Sequence, residues 1–329
     1  MGEFELLAKL RERLPPNGRR VELGSGDDAA ITVPGGATAT SVDAIVEGVH
    51  FRREEAGLET VGRKALSTAL SDLAAMGAEA GEAYVVLGAP AELGEQDFDA
   101  LLDGLLAVAS ATGTTLAGGD LTRAPVLSLA VTVVGHAPGP ESFVTRGGAK
   151  PGDLLVLTGE IGGAAAGRLL LDDDALAAAV SGPTAETLRA RQLDPTPRLR
   201  CGHALAAAGA RAMIDLSDGL AGDAGHLSST SAVALRIDAG ALPIAAGVAE
   251  VAAAAGLDPL QLAVSGGEDY ELLAAMPPER LDEASAGTGE AAEATLTPIG
   301  KVEAGKGVEI RLPGGGLLEV RGHDHFASS

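Results

Sequence analysis

Between residues 59 and 76 apolar side chains return every three or four positions, with Leu66, Leu70 and Leu73 on one stripe and Gly77 as terminator. That spacing predicts an amphipathic helix. Alternation and β-branched residues in TATSVDAIV (38–46) predict a strand, and VLSLAVTVV (126–134) predicts another. A short helix fits 3–13, stopped by Pro15-Pro16; a buried strand fits 83–88 and a helix 96–111. A polar, Pro- and Gly-rich passage, 136–153, then breaks the pattern and marks the candidate boundary. Beyond it, strands fit 154–159, 211–216, 233–238, 270–275 and 308–312; a glycine turn and a helix through about 171 follow the first strand, and further helices fit 184–192, 197–209 and 219–229. The segment 282–295, poor in large apolar residues, reads as an exposed connection. Strands and helices mix without a βαβ rhythm, so two α+β domains are expected in place of a Rossmann sheet.

Composition narrows the partners. With 24 basic and 46 acidic residues the net charge is −22, which disfavours nucleic acid and anionic membrane, since both are gripped by Lys and Arg. An acidic protein can still take a nucleotide when metal cations stand between its carboxylates and the phosphates. Cys201 is the one cysteine, so no intrachain disulfide or cysteine-rich zinc site is available. The first residues carry no signal-peptide pattern, and the apolar stretch 241–257 is interrupted by Pro243 and Glu250, so a cytosolic protein is expected.

The placement of the aspartates is the informative feature. Asp27 and Asp28 sit in the glycine-rich GSGDDAA (24–30), and Asp43 sits inside a strand pattern, where Asp is disfavoured. Asp72 lies beside the core stripe of a helix, Asp120 follows Gly118-Gly119, and Asp215 and Asp218 flank a strand end and a helix start in IDLSDGL (214–220). Each has a plain reading: Asp27, Asp28 and Asp120 as turn residues beside glycine, Asp218 as a helix N-cap. Half-buried carboxylates cost several kcal/mol without compensation, and no matching scatter of Lys or Arg accompanies them. Mg2+, a hard cation that shares oxygen ligands with phosphates, accounts for the set as a whole.

The remaining motifs refine this. No Walker A pattern exists: GGAKPGD (147–153) has the wrong spacing. TGEIGGAAAG (158–167) is read equally as a phosphate turn or as close helix-on-sheet packing. Arg146 and Lys150 are loop cations, and His50 in EGVHF could contact an anionic substrate or cap its turn. SGGEDYEL (265–272), with Glu268 and Asp269 at a loop entering a sheet, suits ligand binding better than core packing. No Ser-His-Asp or Cys-His arrangement marks a covalent nucleophile.

GDDAA, SVDAIVEGVHF, KALSTALSDLAAMGA, GGDLTR, TRGGAKPGD, IDLSDGLAGD and SGGEDYEL occur in the order seen in the thiamine-monophosphate kinase family, which the chain resembles from GEFELL to GHDHF. The resemblance implies the α+β fold of the aminoimidazole ribonucleotide synthetase-like superfamily, with two α/β domains. The first, 1–140, would bind metal and ATP and form a barrel across a homodimer; the second, 141–329, would complete an active-site cleft. It implies metal positions at Asp28, Ser41, Asp43, Asp72, Asp120, Asp215 and Asp218, with Asp27 as a further ligand or orienter. ATP contacts are implied at Gly119, Asp120, Arg146 and Ser217, and thiamine-phosphate contacts at His50 and Glu268. Where the family closes the thiamine pocket with an aromatic, this chain aligns Val320, with His323 and Phe326 nearby. The implied reaction is ATP-dependent phosphorylation of thiamine monophosphate, in line and assisted by several Mg2+ ions. With two Tyr, five Phe and no Trp in the chain, adenine is expected to be held by aliphatic side chains and backbone.

Two alternatives stand beside this reading: an aminoimidazole ribonucleotide synthetase-type ligase or cyclase, and a catalytically silent nucleotide- or metal-binding relative. Selenophosphate synthetase is disfavoured because no cysteine precedes Cys201, and the hydrogenase-maturation relative because its functional terminal cysteine has no counterpart in HDHFASS.

Overall fold

A computed structural model of the chain describes residues 3–25, 27–290 and 294–318; Val320, His323 and Phe326 lie outside them. Internal contacts divide the chain into two compact units, one of residues up to 73 with 78–142, the other of 74–77 with 143 onward.

The first unit contains α1 (Glu3–Arg13), β1 (Val21–Leu23), β2 (Ile31–Thr32), β3 (Ala37–Val46), α2 (Leu58–Ala75), β4 (Glu79–Ala89), α3 (Glu95–Thr112), β5 (Thr115–Arg123) and β6 (Ser128–Ala137). Its main sheet runs β3-β6-β4-β5, antiparallel except for the β4/β5 pair. Alternation sorts the faces. Ala39, Ile45, Ala83, Leu87, Leu129, Val131 and Val133 are buried, whereas Val42 and Val86 on the opposite face are 64% and 43% exposed. Leu66, Leu70 and Leu73 of α2 and Leu101, Leu102 and Leu105 of α3 are buried. The two helices touch through glycine. A Cβ on Gly62 would meet the Leu101 carbonyl oxygen at 2.2 Å, and one on Gly104 the Glu59 carbonyl oxygen at 1.9 Å.

The second unit contains β7 (Leu154–Thr158), α4 (Gly163–Asp172), α5 (Asp174–Ala179), α6 (Gly182–Leu193), α7 (Leu199–Ala207), β8 (Ala212–Asp215), α8 (Leu220–Ser231), β9 (Ala234–Asp238), α9 (Val248–Ala255), α10 (Pro259–Ser265), β10 (Leu272–Met276), α11 (Leu281–Glu290), β11 (Leu296–Glu303) and β12 (Gly307–Arg311). The sheet runs β12-β9-β11-β7-β10-β8, antiparallel except for β12/β9. Both faces are covered, which explains the unbroken apolar runs of its central strands. Leu155, Leu157, Ile214 and Leu273 pack with Leu220, Leu227 and Val264, while Val156, Met213 and Leu272 pack with Cys201, Leu205 and Ala284.

Two expectations are corrected. The segment 282–295 is not an open connection, since residues up to 290 form α11, with Ala284 and Thr288 buried. Its small side chains allow close approach: a Cβ on Gly287 would lie 3.1 Å from Ala204 Cβ. Asp120 is not in a turn but inside β5, a strand hidden by its glycines. Among the described residues no helix is long and apolar enough to cross a membrane.

Candidate active site

In the first unit, alternation along β3 puts Ser41 and Asp43 on the buried face, in register with Val133 and Val131 of β6. Ser41 Oγ donates to Asp72 Oδ2, so the helix carboxylate is drawn to the strand. The Ala44 N–H donates to Asp43 Oδ1 at 2.7 Å, and among the described residues no cationic side chain hydrogen-bonds to this half-buried carboxylate. Asp27 and Asp28 are exposed between β1 and β2, where the Asp28 N–H donates to Asp27 Oδ1 at 2.8 Å. Gly119 lies against β4 so closely that a Cβ would meet the Val85 carbonyl oxygen at 2.0 Å. β3 and β5 are the two edges of the sheet, so Asp43 and Asp120 stand three strand spacings apart, roughly 14 Å.

A cavity of about 100 Å³ lies over the β5 edge, lined by Ser25, Phe98, Leu101, Leu102, Gly119 and Asp120 among others. It brings the GSGDDAA segment and the GGD segment to one opening. His50 sits on the turn after β3, where its Nδ1 accepts the Val46 N–H at 3.1 Å. In that bond Nδ1 carries no proton, so Nε2 is the ring's donor toward a ligand. Lys64, buried in α2, donates to the His50 carbonyl oxygen at 3.2 Å.

In the second unit β8 ends on buried Asp215, and the chain turns through exposed Ser217 and half-buried Asp218 into α8. The N-cap is Gly219 at φ +100°, not Asp218, whose side chain is therefore not used as a cap. Asp223, one turn into α8, accepts the Asp218 N–H at 3.1 Å. Burial, and then the Asp215 and Asp218 charges, push its carboxyl up to about 7, against the lowering effects of that N–H and of Arg146. The Arg146 loop is anchored through its carbonyl, which accepts Ser231 Oγ at 3.1 Å, while Lys150 is exposed nearby.

The loop 265–271 is laid along this segment. The Glu268 N–H donates to the Ser217 carbonyl at 2.8 Å and the Tyr270 N–H to the Leu216 carbonyl at 2.9 Å. Asp269, read from sequence as ligand-facing, is structural: its two oxygens accept the Gly162 N–H at 2.7 Å and the Ala164 N–H at 3.1 Å. It thereby satisfies orphan donors at the start of α4. TGEIGGAAAG is thus closed by a carboxylate. Glu271 is buried against Arg198, with Nη2–Oε1 at 2.6 Å, and accepts Thr158 Oγ1 at 2.7 Å.

The structure thus brings Asp215, Ser217, Asp218 and Glu268 together, with the Arg146 charge acting on Asp223 among them, and pairs Ser41 with Asp72. Asp43, Asp120, Asp28 and His50 occupy separate places in the first unit. Among the described residues no three His, Cys, Asp or Glu side chains converge closely enough to hold a metal ion by themselves. Asp223 and Gln192, which touches Glu268, are the residues sequence reasoning missed. Asp223 stood in the quoted motif IDLSDGLAGD, whereas nothing local marks Gln192.

Residues 26–137 match the family described as AIR synthase related protein, N-terminal domain, and residues 150–313 match its C-terminal domain. Two mixed α/β units with acidic residues at strand ends and helix starts are therefore those of an AIR synthase related protein. The thiamine-monophosphate kinase of Mycobacterium tuberculosis (strain CDC 1551 / Oshkosh) is 40% identical over 83% of this chain and 80% of its own length. The crystal structure of thiamine-monophosphate kinase from Stenotrophomonas maltophilia K279a superposes with a TM-score of 0.82 at 37% identity, covering 94% of this chain and 96% of that one. AaThiL complexed with AMPPCP and TMP superposes with a TM-score of 0.77 at 28% identity, covering 99% and 97%. The chain belongs to the thiamine-monophosphate kinase family.

Proposed function

We propose that this chain transfers the γ-phosphoryl group of ATP to the phosphate of thiamine monophosphate, giving ADP and thiamine diphosphate. The observation that carries the reading is the pairing of the 215–219 and 265–271 loops, which sets Asp215, Ser217 and Asp218 beside Glu268. A phosphate-handling set and an acceptor-binding residue then share one rigid backbone. An acceptor phosphate oxygen attacks the γ-phosphorus, the bond to the β–γ bridging oxygen breaks, and ADP leaves with that electron pair. Transfer is direct, with no covalent protein nucleophile.

The donor chemistry suits Mg2+: hard oxygens throughout, and around Asp223 a concentration of carboxylate that a cation would relieve. Asp28, Ser41, Asp43, Asp72, Asp120, Asp215 and Asp218 would hold several such ions, with Asp27 beside them. Bound there, Mg2+ supplies charge neutralisation between two polyanions. Gly119, Asp120, Arg146 and Ser217 contact ATP in this reading, and the apolar cavity beside Gly119 and Asp120 seats adenine on aliphatic side chains. His50 offers its Nε2 donor to the acceptor phosphate, and Glu268 contacts the thiamine part. Val320 is a proposed contact on sequence alone.

The functional domains are taken as 1–140 and 141–329, in a cytosolic homodimer paired through the first domain. Purified protein is incubated with ATP, Mg2+ and thiamine monophosphate, and thiamine diphosphate is quantified by chromatography. Formation of thiamine diphosphate with equimolar ADP is expected. Turnover of formylglycinamidine ribonucleotide instead would transfer the reading to the synthetase alternative, and ATP-binding without product to the silent one.

A further inference from the structure

Glu268 is held from several sides. It adopts φ +65° and Tyr270 φ +51°, left-handed conformations that side-chain-bearing residues keep only when their surroundings impose them. The backbone is imposed by the Ser217 and Leu216 carbonyls and by Asp269 clamped on the start of α4. The side chain is held separately. Gln192, buried at the end of α6, donates from Nε2 to Glu268 Oε2. Its reach depends on α4 and α6 meeting at glycine distance: a Cβ on Gly167 would lie 2.1 Å from the Leu188 carbonyl oxygen and 3.0 Å from Gln192 Cβ.

We propose that Gln192 is a positioning residue for the acceptor, orienting the Glu268 carboxylate toward the thiamine moiety. This rests on the reading that Glu268 contacts that moiety. A neutral amide is suited to the task. It orients the carboxylate through a charge-assisted bond yet leaves its negative charge in place. Arg191, the neighbouring cation, pairs with Glu160. A carboxylate oriented in this way suits a cationic heteroaromatic such as a thiazolium, and Gln192 thereby contributes to specificity.

Steady-state kinetics of Gln192→Met, which keeps length and volume without the donor, test this, with Gln192→Leu in its place should that variant fail to fold. The KM for thiamine monophosphate is expected to rise about tenfold, as for loss of a bond to a charged group. The KM for ATP and kcat should stay within about twofold. In a Glu268→Ala background the same change should add less than about twofold, because its target is gone. A folded variant with an unchanged acceptor KM, where Glu268→Ala alone raises it, overturns the positioning role and leaves the functional reading intact. A fall in kcat with both KM values shifted equally also overturns it, as a merely structural effect. An unchanged acceptor KM in Glu268→Ala itself removes the assignment of Glu268, and the inference with it.

Discussion

Asp43 shows how a single residue carries functional information. A strand interior disfavours Asp, yet it stands on the buried face of β3 in register with buried Val131, and its recorded hydrogen bond comes from its neighbour's N–H. A carboxylate kept there without a paired cation adds nothing to stability that Asn or Val would not match. The proposed metal ligation would account for its presence. Asp218, for its part, is not spent on capping α8, which falls to Gly219. Asp43→Asn and Asp218→Asn should therefore fold normally, by circular dichroism and melting temperature, and lose activity by roughly a thousandfold, about 4 kcal/mol of barrier. Near-normal turnover at saturating Mg2+ in either variant would remove that residue from the metal set. Asp269 shows the limit of such reasoning. In sequence it is as conspicuous as Glu268, and the structure spends it on two backbone N–H groups of α4. Residue type and loop position do not separate these roles, because what decides is a partner more than a hundred residues away.

At the scale of elements, glycine does two different jobs in helices, and the contacts distinguish them. Gly104 of α3 sits against α2, where a Cβ would lie 1.9 Å from the Glu59 carbonyl oxygen and 2.8 Å from the Arg63 nitrogen. Gly225 of α8 has nothing within 4 Å. Alanine is the better helix former by up to about 1 kcal/mol, so Gly225→Ala should stabilise by roughly that amount. At Gly104 the gain is overridden, since backbone cannot step aside as a side chain can. Overpacking should cost about 1–3 kcal/mol net. Urea unfolding midpoints of the two variants should move in opposite directions, and a stabilised Gly104→Ala would show that α2 and α3 are not in such contact. The same physics sets what could be read from sequence. β3, α2, α3 and β6 were legible because a strong period of two or 3.6 outlasts their few polar positions. β5 (TLAGGDLTR) was not, since two glycines and an aspartate erase its alternation. β11 was not, because Pro298 and Gly300 flank a register shift. α11 was not, because Ala, Gly and Thr bury it without large side chains. In the candidate site, Asp215, Ser217 and Asp218 stood out by their place at a strand end and a helix start, while Gln192 was silent because its contact with Glu268 exists only after α4 and α6 pack.

For the whole molecule, the net charge of −22 opposes self-association, yet one surface suits a partner. β3 is ten residues long, stands at an edge of its sheet, and has Asp43 as its sole charge, on the buried face. Isolated proteins protect such edges with Lys, Pro, bulges or shortness, and β3 shows none of these. The adjoining open face continues the argument, with Val42 64% exposed and flanked along β3 by exposed Thr40 and Ala44, and Val86 43% exposed on β4. Val42 and Val86 exposed on one sheet face suit an interaction surface, with exposed Asp120 in register with Val86 on the far edge strand. A second copy of the same chain would offer both an edge for β3 and a matching face, as the proposed barrel shared by a homodimer requires. Light scattering should therefore give twice the 32.6 kDa chain mass at micromolar concentration. Val42→Glu combined with Val86→Glu would place four carboxylates in the shared interior, where desolvation and like-charge repulsion each cost several kcal/mol. That variant should run as a monomer with its secondary structure retained, because both positions face outward in the isolated unit. A wild-type protein that is monomeric under these conditions, or a double variant that remains dimeric, would show that this face is not where two copies meet.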